Sequence, residues 1–222
     1  VAILKLVQDG RLSLDAKVFG TGGVLASDYG TAPYNSNLLN ITVRHLLQNV
    51  SGSWGASTGG DVIDQNPSYT YKQLLDWIIN TRPNPSAPGT LYDYSNVNFC
   101  IAGRIIEKIS GKSYVNFIKE DIMAPIGATQ TDISGKTAAE KKANEVSYYG
   151  QGQDANFVYN IAFPRRDADG GLISTASDLL RLINAIDGFS TRTDMLSPAS
   201  ITALTTPSAV FSSYACGIGI WS

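Results

Sequence analysis

The stretch "PGTLYDYSNVNF", residues 88–99, holds more polar chemistry than the start of a helix needs. One Ser or Asn is enough for an N-cap. Here a Pro88-Gly89 turn is followed by Tyr92, Tyr94, Ser95, Asn96 and Asn98. Tyr94 and Asn96 are two apart, so in an extended segment their side chains project to the same side, and the Pro-Gly turn sets where that side points. A phenol beside a cation can give up its proton and act as a general base. A neighbouring amide donates and accepts the hydrogen bonds that hold a nucleophile or a substrate carbonyl. The same residue types also make an ordinary pre-helix turn with Asn96 as N-cap. On the motif alone both readings stand.

The other chemistry-bearing residues point less far. His45 is the only histidine, which excludes multi-histidine metal sites, and it lies at helical spacing beside Leu46 and Leu47, where a structural histidine is the favoured reading. Cys100 and Cys216 sit in apolar runs and cannot make a Cys-x-x-Cys site; each is expected to pack as a small hydrophobe. No metal and no organic cofactor is implied. Seventeen basic against nineteen acidic residues, scattered singly, give a net charge of −2. There is no basic stripe for a nucleic acid and no polybasic cluster for an anionic membrane. No apolar run approaches the ~20 residues that span a bilayer.

The elements that must position the motif are legible from caps and periods. "VAILKLVQDG" runs at helical period through Val1, Leu4 and Val7 but has no N-cap, so the sequence is expected to begin inside an element. Residues 18–40 and 51–67 are rich in Gly, Ser and Asn and read as loops. Loops of this length commonly wall binding sites. Trp54 lies in the second, either as an aromatic plug or as part of a substrate wall. Thr42 caps a short helix. Further helices are predicted over 71–80, 97–110, 114–122 and 176–187, with Asp178 placed to reach back to the last cap. Ser197-Pro198 starts one more. "VSYYGQG" and "NFVYNIAF" read as two strands of a hairpin, and "YACGIGIWS" as a strand. No linker divides the chain, so a single domain over 1–222, incomplete at both ends, is expected.

The order "ITVRHLLQNVSG", then "PGTLYDYSNVNFCIAGRIIEKISGKSYVNFIKEDIMAPIGA", then "DADGGLISTASDLLRL" resembles the serine β-lactamase and penicillin-binding-protein-like family. That family includes class C β-lactamases, D-alanyl-D-alanine peptidases and related esterases. The resemblance implies an α+β, β-lactamase/transpeptidase-like fold, of which this portion is mainly the helical lobe with few short strands. It implies an acyl-serine hydrolase acting on an amide or ester carried by a small molecule or peptide, such as a β-lactam, a D-Ala peptide or a carboxylic ester. Tyr94 and Asn96 match the family's Tyr-x-Asn and would be its catalytic residues here. A periplasmic or secreted location is slightly favoured.

Two departures bear on activity. The family's nucleophile and its activating amine come from a Ser-x-x-Lys pair, and no Ser-x-x-Lys occurs in these residues; the resemblance places it upstream of Val1. No Lys-Thr-Gly or His-x-Gly occurs either. Gly135-Lys136-Thr137 continues with Ala138 in a polar connector and reads as a solvated turn. In "QNVSG", residues 48–52, the family's usual His-Thr-Ser-Gly is replaced, a change expected to touch packing more than chemistry. The alternative function is a catalytically inactive binding or scaffold relative in which Tyr94 and Asn96 are only turn and cap.

Overall fold

The computed structural model describes residues 1–52, 54–55, 62–82, 84–135, 137–150, 159, 161 and 163–221. Eight α-helices run through them: α1 (Ala2–Gln8), α2 (Ser36–Asn40), α3 (Val43–Leu47), α4 (Tyr71–Thr81), α5 (Asn96–Ser110), α6 (Tyr114–Phe117), α7 (Ala176–Asn184) and α8 (Pro198–Thr205). Two two-residue strands, β1 (Asp132–Ile133) and β2 (Leu172–Ile173), pair antiparallel with Asp132 opposite Ile173. The portion is mainly helical, as expected.

α5 is the central element. Val97, Ile101, Ile105 and Ile106 are buried on it, and α1, α3 and α6 pack around it. It ends where Gly111 turns left-handed, φ 75°, and donates its N–H to the Glu107 carbonyl, a conformation in which a Cβ would be strained. Cys100 is buried on α5 as a free thiol, and burial pushes its pKa up to about 12, so it packs as a hydrophobe. α4 starts in a capping box: Thr70 accepts from the Gln73 N–H while Gln73 accepts from the Thr70 N–H. Its Leu74, Leu75 and Ile78 then face inward. α6 continues through a wider π-helical turn, Ile118–Met123, into a 3₁₀ turn containing Pro125, so the helix expected over 114–122 is present but changes pitch.

A buried ion pair ties α5 to the segment before β2. Arg104 holds Asp167 with both carboxylate oxygens, at 2.8 and 3.0 Å, and lies 3.9 Å over the Tyr71 ring. Beside it, Arg165 donates to the carbonyls of Ile63 and Asn66, fastening the end of the second long loop.

Three expectations are corrected. Residues 146–150 are irregular rather than a strand, and 151–158, 160 and 162 lie outside the described residues. Among the described residues, the two segments meet in the Tyr148–Tyr159 ring pair, at 5.6 Å, and a bond from the Tyr148 N–H to the Tyr159 hydroxyl. Residues 214–221 of "YACGIGIWS" form a tight turn bridged between Tyr214 and Gly219 rather than a strand, because Gly217 takes φ 85° and bends the chain back. Asp178 does not serve the cap. Thr175 caps α7 through the Asp178 N–H, and the Asp178 carboxylate is turned instead to the Gln130 N–H, at 2.6 Å, and to Arg181.

α7 leaves Leu179, Leu180 and Ile183 exposed. Next to it an apolar cavity of about 510 Å³ is lined by Ile3, Phe99, Ile106, Leu182, Ile186 and Leu204 among others, so apolar surface stands open here.

Candidate active site

The segment carrying Tyr94 is laid against the turn that follows α3. Gly89 donates its N–H to the Val50 carbonyl at 2.7 Å, and Asp93 donates to the Asn49 carbonyl at 2.9 Å. Asn49, fully buried with φ 54°, then places its side chain between the two segments. Its Oδ1 accepts from the Ser95 N–H at 3.2 Å and from Asn98 Nδ2 at 2.9 Å. Ser51 Oγ donates to Asn98 Oδ1 at 2.6 Å, and Asn84 Nδ2 donates to the Ser51 carbonyl at 2.8 Å. The 48–52 turn is thus the clamp behind the motif.

This clamp sets the alternation of the motif. Asp93 and Ser95 are buried: the Asp93 carboxylate accepts from the Gly55 N–H at 2.8 Å, and Ser95 Oγ donates to the Trp54 carbonyl at 3.2 Å. Tyr94, between them, is 46% exposed, and Asn96 is half-buried. The N-cap of α5 is Ser95, not Asn96, which is the first residue inside the helix. Ser95 makes no side-chain cap bond because its hydroxyl is committed to Trp54. Pure capping therefore does not account for Asn96. Trp54 is only 1% exposed, with Nε1 directed at the Arg82 carbonyl, so it is a plug rather than a substrate wall. A Cβ on Gly55 would run into the Tyr94 carbonyl oxygen, so the loop carrying Trp54 comes this close only because residue 55 lacks one.

His45 is structural. Its Nδ1 accepts from the Thr42 N–H at 3.2 Å while the His45 backbone N–H donates to Thr42 Oγ1, a capping box closed by an imidazole. Burial, with Lys17 adding to it, holds its pKa below the usual value, in keeping with the neutral ring that the Thr42 bond requires. Thr137, in the Gly-Lys-Thr stretch, precedes an exposed 3₁₀ turn, Ala138–Glu140, and Lys136 lies outside the described residues. Among the described residues no cluster of His, Cys, Asp or Glu could hold a metal ion. No helix among them is long and apolar enough to cross a membrane.

Sequence reasoning missed the clamp and the aromatic residues beside Tyr94. Tyr214 stands edge-on to Tyr94, with ring centroids 6.1 Å apart, and Tyr92 is stacked on Phe211. Polar residues at the 48–52 turn were visible in the sequence, but not what they face.

A helical lobe that holds an exposed tyrosine and a helix-first asparagine against a clamped turn belongs to the β-lactamase/transpeptidase-like fold. The chain belongs to the Beta-lactamase family, whose family model matches residues 1–213. It is similar to Protein flp of Staphylococcus aureus, 28% identical over 152 residues, covering 68% of this chain and 29% of that protein. Among solved structures it superposes on a penicillin-binding protein from Bacillus halodurans, with TM-score 0.73, 23% identity and coverage of 97% of this chain and 65% of that one. It also superposes on a D-stereospecific amidohydrolase from Streptomyces sp., with TM-score 0.70, 24% identity and coverage of 97% and 66%. The chain spans under a third of the length of the flp relative and about two thirds of these two structures.

Proposed function

We propose that the complete protein is a serine hydrolase that cleaves an amide or ester through an acyl-serine, and that Tyr94 and Asn96 are its catalytic residues in this chain. The nucleophile, supplied outside these residues, would attack the substrate carbonyl while the Tyr94 oxygen takes its proton. The C–N or C–O bond then breaks as the proton passes to the leaving group, and water, deprotonated by the same oxygen, releases the acyl group. Asn96 would hold the substrate amide and the activating lysine.

The observation that carries this reading is the placement of Tyr94. Both its neighbours are buried and hydrogen-bonded, yet its own ring is presented outward on a backbone clamped by Asn49. A turn residue needs no such support. The amidohydrolase and penicillin-binding protein among the structural neighbours favour an amide over an ester. Tyr94→Phe in the complete protein removes one hydroxyl and leaves the ring in place. Its kcat is expected to fall by about 10²–10⁴ with the melting curve unchanged. Full turnover in the well-folded variant would sink the assignment.

A further inference from the structure

The aromatic side chains around Tyr94 exceed what its packing requires. Tyr92 lies on Phe211 with centroids 3.9 Å and planes 17° apart, and Tyr214 is tilted against Tyr92 at 5.7 Å and edge-on to Tyr94 at 6.1 Å. Leu91, Tyr94, Val210 and Phe211 are all exposed around these contacts. Single exposed apolar residues need no explanation, but a contiguous apolar patch bordering a polar site marks a surface that something covers. The patch is also uncharged. Asp93, the one carboxylate in the segment, is turned inward to Gly55, and burial pushes the phenols of Tyr92 and Tyr214 up, keeping both neutral.

We propose that the rings of Tyr92, Tyr94, Phe211 and Tyr214 form a subsite for a flat, uncharged, apolar group, such as a phenyl ring, carried by the substrate beside the carbonyl that is attacked. Placing that carbonyl next to the subsite rests on the catalytic reading of Tyr94; the binding of the ring does not. Small and anionic groups gain little from such a wall, whereas a ring can lie against Phe211 or Tyr94 in the offset or edge-on arrangements the four rings already adopt. The wall is preorganised. The Tyr94 backbone is held through the Asn49 clamp on its neighbours, so little main-chain freedom remains to be lost on binding.

The test uses the 222-residue chain with ¹³C-labelled tyrosine rings, titrated with phenylacetamide and with acetamide, two primary amides that differ by a phenyl group. Phenylacetamide is expected to shift the ring resonances of Tyr92, Tyr94 and Tyr214 saturably, and to bind about 2- to 10-fold more tightly than acetamide. Phe211→Ala, at the exposed edge, is expected to abolish that preference with the circular dichroism spectrum unchanged. If that variant does not fold, Phe211→Leu, which keeps apolar volume without a ring, is expected to reduce it. Tyr94→Phe is expected to retain the preference, because the ring remains whether or not the hydroxyl is a base. Loss of its catalytic role would therefore leave the subsite standing. Equal affinity for the two amides, or shifts confined to Tyr114 in the apolar cavity, overturns the subsite and leaves the catalytic reading untouched.

Discussion

At the scale of single residues, Asn49 is the position on which the site leans. Its one carbonyl oxygen serves the Ser95 N–H and the Asn98 amide in a fully buried place, and its backbone is left-handed. Asn49→Ala would leave two buried donors without an acceptor and put in the left-handed backbone a residue that lacks the short polar side chain by which Asn tolerates it. The variant is expected to lose about 3 kcal/mol or more by urea denaturation. Asn49→Gly removes the same acceptor but accepts the backbone, so it should be less destabilised than Asn49→Ala by about 1 kcal/mol; equal losses would show that the φ 54° conformation costs nothing. His45 carries a pH dependence of defined sign. Its folded pKa lies below the ordinary 6.5, so between the two values the unfolded chain binds a proton that the folded chain does not. The stabilisation from neutral His45 is complete above about pH 6.5, is lost as the pH falls toward the folded pKa, and then levels off. As the chain has no other histidine, urea midpoints at pH 7.5 and 5.5 should differ in the natural sequence. The difference should shrink in His45→Gln, which can still close the capping box.

At the scale of elements, the helices were legible and the sheet was not. α4, α5 and α7 each combine a polar cap with a 3.6-residue apolar period, and they begin within a residue of the expected positions. β1 and β2 are two residues long, too short to show a period of two, and their pairing is set by the contacts between α7 and the Gln130 segment instead. The clamp was illegible for a different reason. The partners of Asn49 lie 46 and 49 residues away, and no local pattern announces a contact at that separation. The Tyr-x-Asn spacing, by contrast, was local and could be read from the sequence, while the exposure of Tyr94 between buried Asp93 and Ser95 depends on the distant clamp. Two element-level outcomes follow from these structures. Gly111→Ala meets no neighbouring atom, so its cost, about 1 kcal/mol in thermal melting, would come from the left-handed backbone alone. Asp167→Asn leaves the buried Arg104 guanidinium with Glu107, at 3.3 Å, as its one remaining counter-charge among the described residues, and a loss of about 2 kcal/mol or more is expected. A loss under ~1 kcal/mol would mean that water reaches the pair.

At the scale of the whole molecule, the lobe carries the Tyr94/Asn96 pair without a Ser-x-x-Lys. None of its serines has a lysine three positions on, so no hydroxyl in it is activated in the family manner. The 222-residue chain incubated with a penicillin or a phosphonate is expected to show no covalent adduct by mass spectrometry, and a stoichiometric adduct on any serine would reveal a nucleophile of another kind. The placement of Trp54 also has an optical consequence. Of the three tryptophans, Trp221 is 94% exposed, Trp77 is half-buried with the Arg82 guanidinium 4.9 Å above it, and Trp54 is sealed. Iodide should therefore quench Trp221 first and Trp54 least. The blue-edge emission that survives quenching comes mainly from Trp54, whose backbone carbonyl accepts the Ser95 hydroxyl. Any movement of the Tyr94 backbone, whether from a ligand or a mutation, should thus be readable as a colour change in the unlabelled protein.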